Sequence, residues 1–244
     1  MAAERRPRTI VFDLDDTLYA EADYVRSGLA AVTALVGRLT GAAVNPVELP
    51  ETDPLGAIRR AARLPEAAFE ALLWTYRLHR PAITLRPGVA AAIAQCRRRG
   101  EAIAVLTDGR AISQRLKVAA LGLELDGLFI SEELGAAKPS QAGFVAVENA
   151  LPAARYVYVA DNPAKDFIAP NARGWYTIGL RPRPDAIHKW DLAALPAATR
   201  PHDWADDFSA IAALLDQCAV RSRSSRSATR RRIAGSIVPS PTDL

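Results

Sequence analysis

The chain has 244 residues, room for one α/β domain with a small insertion, and its 50% hydrophobic and 24% charged residues are typical of globular proteins. No apolar run approaches the ~18 residues of a membrane span, and the basic start, soon followed by aspartates, is unlike a secretory signal peptide. The net charge of +4 comes from residues 221–244, which contain six arginines and one aspartate. We therefore expect a cytoplasmic protein whose body contacts neither membranes nor nucleic acid.

In chain order, short apolar segments alternate with helical ones. The predicted strands are Thr9–Leu14, Ala102–Thr107, Leu128–Ser131, Arg155–Ala160 and Trp175–Leu180. The predicted helices are Val89–Arg99, Ser113–Leu121, Gln141–Leu151 and Ala164–Ala172, with a last amphipathic helix over Asp203–Cys218 after a Pro-rich connection. This alternation predicts an α/β fold, a doubly wound Rossmann-like parallel sheet covered by helices on both faces.

Residues 19–85 interrupt the alternation. They are rich in Ala and Leu, with helical spacing over Tyr24–Leu39 and Pro65–Leu78, and contain no convincing strand. We interpret this segment as a small helical subdomain inserted into a core made of residues 1–18 and 86–220. The Arg/Ser-rich residues 221–244 are predicted to be a disordered tail.

The most informative motif is Asp13-Leu-Asp15-Asp16-Thr17, at the end of the first predicted strand. Residues two apart in an extended segment share a face, so Asp13 and Asp15 are expected to point into one crevice. In open α/β sheets, the crevice beyond the carboxyl ends of the strands holds the ligand. Adjacent carboxylates repel each other unless a cation neutralises them, and Mg²⁺ suits an oxygen-lined phosphate site. An acidic turn or a helix N-cap is the alternative explanation.

Further polar residues follow at later strand ends and loops. Thr107 and Asp161 end two later strands, Lys138 lies in Lys138-Pro139-Ser140, and Asp166 follows Asp161 in one segment. Over residues 9–180 this order of motifs resembles the haloacid dehalogenase superfamily of phosphotransferases. Its motifs are DxDxT, a Thr or Ser, a Lys and an acidic pair, and the chain departs from them by an Ala where the family often has Gly.

The resemblance implies a Mg²⁺-dependent phosphatase that forms an aspartyl-phosphate intermediate. Asp13 would attack phosphorus, while Asp15 would protonate the leaving oxygen and later activate water. The implied catalytic residues are Asp13, Asp15 and Lys138, and the implied phosphate-binding residues are Thr107, Asp108 and Lys138. The implied metal-binding residues are Asp13, Asp15 through its backbone carbonyl, and Asp161, with Asp166 behind them to orient water or Lys138.

Each of these residues taken singly also has a structural explanation. Thr107 is equally an ordinary N-cap, Lys138 a solvated surface lysine, and Asp166 a solvent-facing residue of a helix. The resemblance and the site that it implies therefore depend on all of these residues together.

Other activities stay open at this point. The superfamily also contains dehalogenases, which usually lack the second aspartate, so the presence of Asp15 favours phosphoryl transfer to water. A phosphoprotein phosphatase is disfavoured because a helical cap shields the site from macromolecules. A binding or scaffold protein whose basic tail contacts nucleic acid or an acidic partner is the alternative outside enzymes, although the tail lacks aromatic residues for base stacking.

Residues 19–85 lie where helical caps occur in the phosphatase branches of this superfamily. Caps exclude water and contact substrate. The chain looks like phosphatases of small metabolites, sugar phosphates or nucleotides. The candidate substrate-reading residues are Tyr19, Trp74, Arg77, His79 and Arg80, each with packing or solvation as the alternative.

Overall fold

The computed structural model describes residues 6–217. In this part of the chain, six parallel strands form one sheet in the order β3-β2-β1-β4-β5-β6. Their bounds are β1 Thr9–Phe12, β2 Ala102–Thr107, β3 Gly127–Ile130, β4 Tyr156–Ala160, β5 Tyr176–Leu180 and β6 Asp203–Ala205. Because β1 pairs with both β2 and β4, its carboxyl end lies at the centre of the sheet edge.

The helices of the core connect successive strands. They are α4 Val89–Arg98, α5 Ala111–Ala120, α6 Ser131–Leu134, α7 Ala142–Ala150 and α8 Ile168–Ala172, followed by α9 over 208–217. Residues 19–85, hereafter the inserted segment, contain α1 Glu21–Thr40, α2 Pro54–Ala61 and α3 Ala68–Leu78. The described helices are too short or too polar to cross a lipid bilayer.

The two faces of the sheet carry separate apolar cores, as a doubly wound fold requires. Side chains alternate along β1, so Ile10 and Phe12 face a core completed by α4 and α9, while Val11 faces a core completed by α7 and α8. The Rossmann-like α/β prediction is confirmed.

The inserted segment leaves and rejoins the core at one point, where the Arg86 N–H donates to the Leu18 carbonyl (2.8 Å). Its helices bury an apolar cluster of their own, which includes Val32, Ile58 and Leu72. This packing explains how the helices hold together beside the core.

The predicted helix over Asp203–Cys218 is wrong in its first part. Asp203–Ala205 is strand β6, paired with β5, and helix begins at Phe208. The Asp207 carboxylate accepts from the Ala210 N–H (2.9 Å) and so satisfies a free donor of the first helical turn. Cys218 and the predicted tail lie outside the described residues.

The predicted helix over Ala164–Ala172 is also shorter in the structure. Residues 162–167 form a turn that Asp166 closes by accepting from the Asn162 N–H (3.0 Å), and α8 starts at Ile168. Asp166 is therefore a fully buried turn residue, and its interpretation as a solvent-facing helical residue is wrong.

A buried ion pair at the amino edge of the sheet gives a stability prediction. The Arg8 Nε donates to Glu101 (2.7 Å), and both side chains are about 95% buried or more. We expect Glu101→Ala to lower the free energy of unfolding by about 3–5 kcal/mol, because an unpaired buried guanidinium remains. Urea unfolding measures this loss.

The matched control is Glu133→Ala, which removes an exposed partner of Arg115 (2.7 Å). Exposed pairs contribute about 1 kcal/mol or less. Equal unfolding midpoints for the two variants would contradict the interpretation of the Arg8–Glu101 pair.

Candidate active site

Three strand ends converge at the centre of the carboxyl edge. Asp13 follows β1, Thr107 ends β2 and Asp161 follows β4, and these strands are neighbours in the order β2-β1-β4. The Asp13 N–H donates to the Val159 carbonyl (2.9 Å), which extends the β1–β4 pairing to the motif itself. All three side chains are buried. The topology therefore brings together aspartate, threonine and aspartate from segments far apart in sequence.

Lys138 joins this group from the loop before α7. Its Nζ lies 2.8 Å from Asp13 Oδ1 and 2.7 Å from Asp166 Oδ1. It also donates to the Tyr158 hydroxyl (2.9 Å), which in turn donates to Asp166 (3.2 Å). Although burial lowers the pKa of Lys138, the charges of Asp13 and Asp166 raise it well above its ordinary value. Lys138 is thus a partner of both aspartates and lies in the interior.

The carboxylates of Asp13, Asp161 and Asp166 form a candidate metal centre. One oxygen of each lies within 4.8 Å of the others, and all three residues are buried. Burial, partly offset by Lys138, raises the pKa of Asp13 to about 6. Burial and the charge of Asp13 raise the pKa of Asp161 to about 8. Hard oxygen ligands with excess negative charge are the donor set that suits Mg²⁺, so these residues fit such an ion.

The residues considered for phosphate binding lie next to this group. Thr107 is buried, and its hydroxyl makes a long contact (3.4 Å) with the Asp108 carbonyl. The Asp108 carboxylate accepts from the Lys138 N–H (3.1 Å) and pairs with Lys165 (3.3 Å). Asp108 therefore orders the loops that carry the two lysines. The contact of Asp108 with a phosphoryl group stays a prediction.

Asp15 lies in different surroundings from Asp13. Its carboxylate accepts from Lys117 Nζ (2.7 Å), from Gln114 Nε2 (3.0 Å) and from the Tyr19 hydroxyl. Burial raises the pKa of Asp15, but the charge of Lys117 and the hydrogen bonds from Lys117, Tyr19 and Gln114 together outweigh burial, and the net shift is downward. The Asp15 carboxylate is absent from the metal-ligand group found among the described residues. Its backbone carbonyl is the atom that the sequence resemblance assigned to the metal.

The loop after β5 covers one side of the site. The Trp190 indole donates to the Asp161 carbonyl (3.0 Å), and the Ile187 N–H donates to the Asp16 carboxylate (2.7 Å). Asp16 also accepts from the Glu21 N–H (3.0 Å) at the start of α1. Asp16 thus connects the first motif, the inserted segment and this loop.

The candidates in the inserted segment have three kinds of surroundings. Tyr19 contacts Asp15, whereas His79 is buried against Ser27 (2.7 Å) and the Tyr76 carbonyl (2.6 Å), a packing role. Arg77 lies over the exposed Trp74 ring (5.4 Å), and Arg80 is exposed.

Sequence reasoning missed several residues that the site contains. Tyr158 lies in an apolar strand, and the sequence around it does not indicate a hydrogen-bond partner for its hydroxyl. Gln114 and Lys117 were placed in a helix but given no role, although the absence of apolar residues at positions 113, 114 and 117 is a usable signal. Glu21 opens α1 beside these charges, and burial, followed by the charge of Asp15, raises its pKa to about 7.

The sequence matches a known family and a curated relative. The family model described as haloacid dehalogenase-like hydrolase matches residues 7–172. A phosphoserine phosphatase from Thermus thermophilus is 36% identical over 141 residues, 52% of this chain and 51% of that protein. The chain spans about half the length of this curated relative.

Solved structures with the same fold come from proteins with different described activities. A 2-haloacid dehalogenase from Pseudomonas syringae has a TM-score of 0.58 at 21% identity. A predicted phosphoglycolate phosphatase from Haemophilus somnus has a TM-score of 0.59 at 18%, and a magnesium-bound hydrolase from Bacillus subtilis has 0.60 at 17%. Each alignment covers 86% of this chain and 98–99% of the other. At these identities the likeness concerns the fold.

Proposed function

Because the chain belongs to the haloacid dehalogenase-like hydrolases, we propose that it is a Mg²⁺-dependent phosphomonoesterase of a small phosphorylated metabolite. The observation that carries this proposal is the presence of two neighbouring aspartates in unlike surroundings. Asp13 lies among carboxylates beside Lys138, and Asp15 is held by Lys117 and Gln114. Such a pair supplies a nucleophile and a separate acid–base group.

In the proposed reaction, the Asp13 carboxylate attacks phosphorus and the leaving oxygen departs with a proton from Asp15. Water, deprotonated by Asp15, then hydrolyses the aspartyl phosphate and frees Asp13. Lys138 stabilises negative charge on the transferred phosphoryl group, and the Thr107 hydroxyl donates to one of its oxygens. Asp166 keeps Lys138 in place.

Asp13, Asp161 and the Asp15 backbone carbonyl would hold the metal ion. When bound, Mg²⁺ neutralises charge on the phosphoryl group and draws the anionic nucleophile and substrate together. Asp166 belongs to the same cluster and would orient water or Lys138 from behind these ligands. The excess of buried negative charge, against one lysine in direct contact with two of the carboxylates, supports this assignment.

The substrate class is proposed as sugar phosphates, nucleotides or the phosphoserine of the Thermus relative. We propose that the inserted segment is a cap that excludes water and contacts the substrate, with residues 1–18 and 86–220 as the core. The location in the cytoplasm stays a prediction.

Dehalogenation is the second candidate, since dehalogenases share this fold. Displacement of a halide needs the nucleophile but no proton donor. That reaction has no use for a second carboxylate beside the nucleophile, whereas phosphate ester cleavage uses Asp15 as acid and base.

The test is a panel of phosphorylated metabolites and a 2-haloacid, assayed with Mg²⁺ and with EDTA. We expect hydrolysis of at least one phosphomonoester with Mg²⁺, background rates with EDTA, and no halide release. Asp161→Asn is expected to raise the Mg²⁺ concentration for half-maximal activity by more than about 10-fold, because it removes a charged ligand.

Asp206→Asn provides the control, because Asp206 is exposed, pairs with Arg181 (3.1 Å) and does not belong to the carboxylate cluster. Its Mg²⁺ requirement should equal that of the wild type. Full phosphatase activity in EDTA would contradict the metal assignment, and halide release without phosphate release would favour the dehalogenase.

A further inference from the structure

Helix α5 buries a polar face. Its buried residues are Ser113, Gln114 and Lys117, whereas Ile112 is 42% exposed. Burying an ammonium and an amide is costly unless both are hydrogen-bonded or paired. This reversal of the usual helix pattern shows that the buried polar groups of α5 are held by specific partners.

Lys117 lies between the core and the inserted segment. Its Nζ is 2.7 Å from Asp15 Oδ1 and 4.1 Å from the centroid of the Tyr24 ring. Tyr24 belongs to α1, so one ammonium contacts both the proposed acid–base group and an aromatic face of the inserted segment.

Gln114 fixes the other oxygen of Asp15. Its Nε2 donates to Asp15 Oδ2 (3.0 Å) and to the Asp108 carbonyl (2.5 Å), while its Oε1 is buried without a hydrogen-bond partner among the described residues. Gly109, at φ +131°, allows this approach, because a Cβ there would lie 2.7 Å from Nε2. A buried amide oxygen without a hydrogen bond lowers the stability of the fold, and this loss accompanies the orientation in which Nε2 donates to Asp15.

Ser113 completes the connection by donating to the Arg77 carbonyl (3.1 Å) in α3. The polar face of α5 thus contacts α1 and α3 on one side and Asp15 on the other.

A carboxylate accepts about four hydrogen bonds. Lys117, Gln114 and Tyr19 take three of these positions, which leaves one direction for a substrate oxygen or a water.

We propose that Lys117 and Gln114 are positioning residues that couple docking of the inserted segment to the orientation of Asp15. This inference rests on the proposed phosphatase function. With the inserted segment docked, Lys117 is fixed between the Tyr24 ring and Asp15. The remaining position on the Asp15 carboxyl group would then carry the proton for the leaving oxygen. Loss of the Tyr24 contact frees Lys117, and Asp15 is then held less tightly, by Gln114 and Tyr19 alone. Proton delivery to the leaving group thereby depends on closure over the substrate.

The test compares two leaving groups. The ratio kcat/KM reports steps up to departure of the leaving group, and p-nitrophenolate leaves without a proton whereas an alkoxide needs one. We expect Lys117→Met to lower kcat/KM for an alkyl phosphate about 10–100-fold, and for p-nitrophenyl phosphate less than about threefold. A merely structural role would lower both values together.

Variants at Tyr24 test the coupling without touching Asp15. Tyr24→Leu removes the ring and is expected to change the ratio of the two kcat/KM values in the same direction as Lys117→Met, while Tyr24→Phe keeps the ring and the ratio. The double variant Lys117→Met/Tyr24→Leu should fall little below Lys117→Met, because both changes break one contact.

Arg115→Met is the matched control, since Arg115 lies on the exposed face of the same helix and pairs with Glu133 (2.7 Å). An active wild type whose leaving-group ratio is unchanged in Lys117→Met overturns this inference alone. An unchanged ratio in Tyr24→Leu overturns the coupling to the inserted segment. A wild type without phosphatase activity on either ester overturns this inference together with the proposed function.

Discussion

Asp13→Asn is expected to lower turnover roughly 10⁴–10⁶-fold, the range seen when a covalent nucleophile or its partner is removed. The substitution keeps the shape of the side chain but replaces the attacking carboxylate by an amide, which is a poor nucleophile for phosphorus. The amide oxygen of this variant would still accept from Lys138, whose contact with Asp166 also remains. The measurement is steady-state turnover, together with intact mass after incubation with substrate, which should show no added phosphoryl group.

Asp23→Asn is the control for this experiment, because Asp23 lies in the first turn of α1 and pairs with the exposed Arg26 (2.7 Å). It should retain wild-type turnover. A phosphoryl group that maps to Asp15 or Asp16 in the wild type would contradict the assignment of Asp13 as the nucleophile.

Asp15→Asn is expected to leave phosphorylation of Asp13 possible while blocking hydrolysis of the intermediate. Loss of a general acid–base group costs about 10²–10⁴-fold. With p-nitrophenyl phosphate the first step needs little protonation, so the phosphoenzyme should accumulate and appear in the intact mass as one added phosphoryl group. With an alkyl phosphate both steps should be slow, and little phosphoenzyme should form.

This variant also changes the contacts of Lys117, which loses its carboxylate partner (2.7 Å). Thermal unfolding of Asp15→Asn therefore accompanies the assay, so that a loss of fold is separated from a loss of chemistry. Equal slowing of both steps with both esters, in a folded variant and without a trapped species, would count against separate roles for Asp13 and Asp15.

The sheet was predictable because its strands are continuous apolar runs buried on both faces. Thr9–Leu14 and Ala102–Thr107 carry that signal, and β1 and β2 lie within them. Strand β6 was not predictable in this way. Its three residues are strand because they pair with Ile178–Leu180 of β5, and the apolar spacing that suggested a helix belongs to residues after Asp207.

The aspartates of the candidate metal centre were predictable from motif order, but their partners were not. Asp166 was expected behind the metal ligands, and the structure buries it against Lys138 and Tyr158. Tyr158 looks like a core residue of β4, because the same alternation that buries an apolar side chain buries its ring. Its hydroxyl accepts from Lys138 and donates to Asp166, and both of these residues come from other segments of the chain.

The sequence by itself determined the alternation of strands and helices and the identity of the acidic residues at the strand ends, because periodicity and motif spacing are local properties. Only the tertiary structure decided that Lys138 and Tyr158 hold Asp166 beside Asp13, while Asp15 faces Lys117. Lys117 is 102 positions from Asp15 along the sequence. Their contact in space is set by strand order and by the packing of α5 against the inserted segment. Contacts over such separations depend on the whole fold, so no local pattern specifies them.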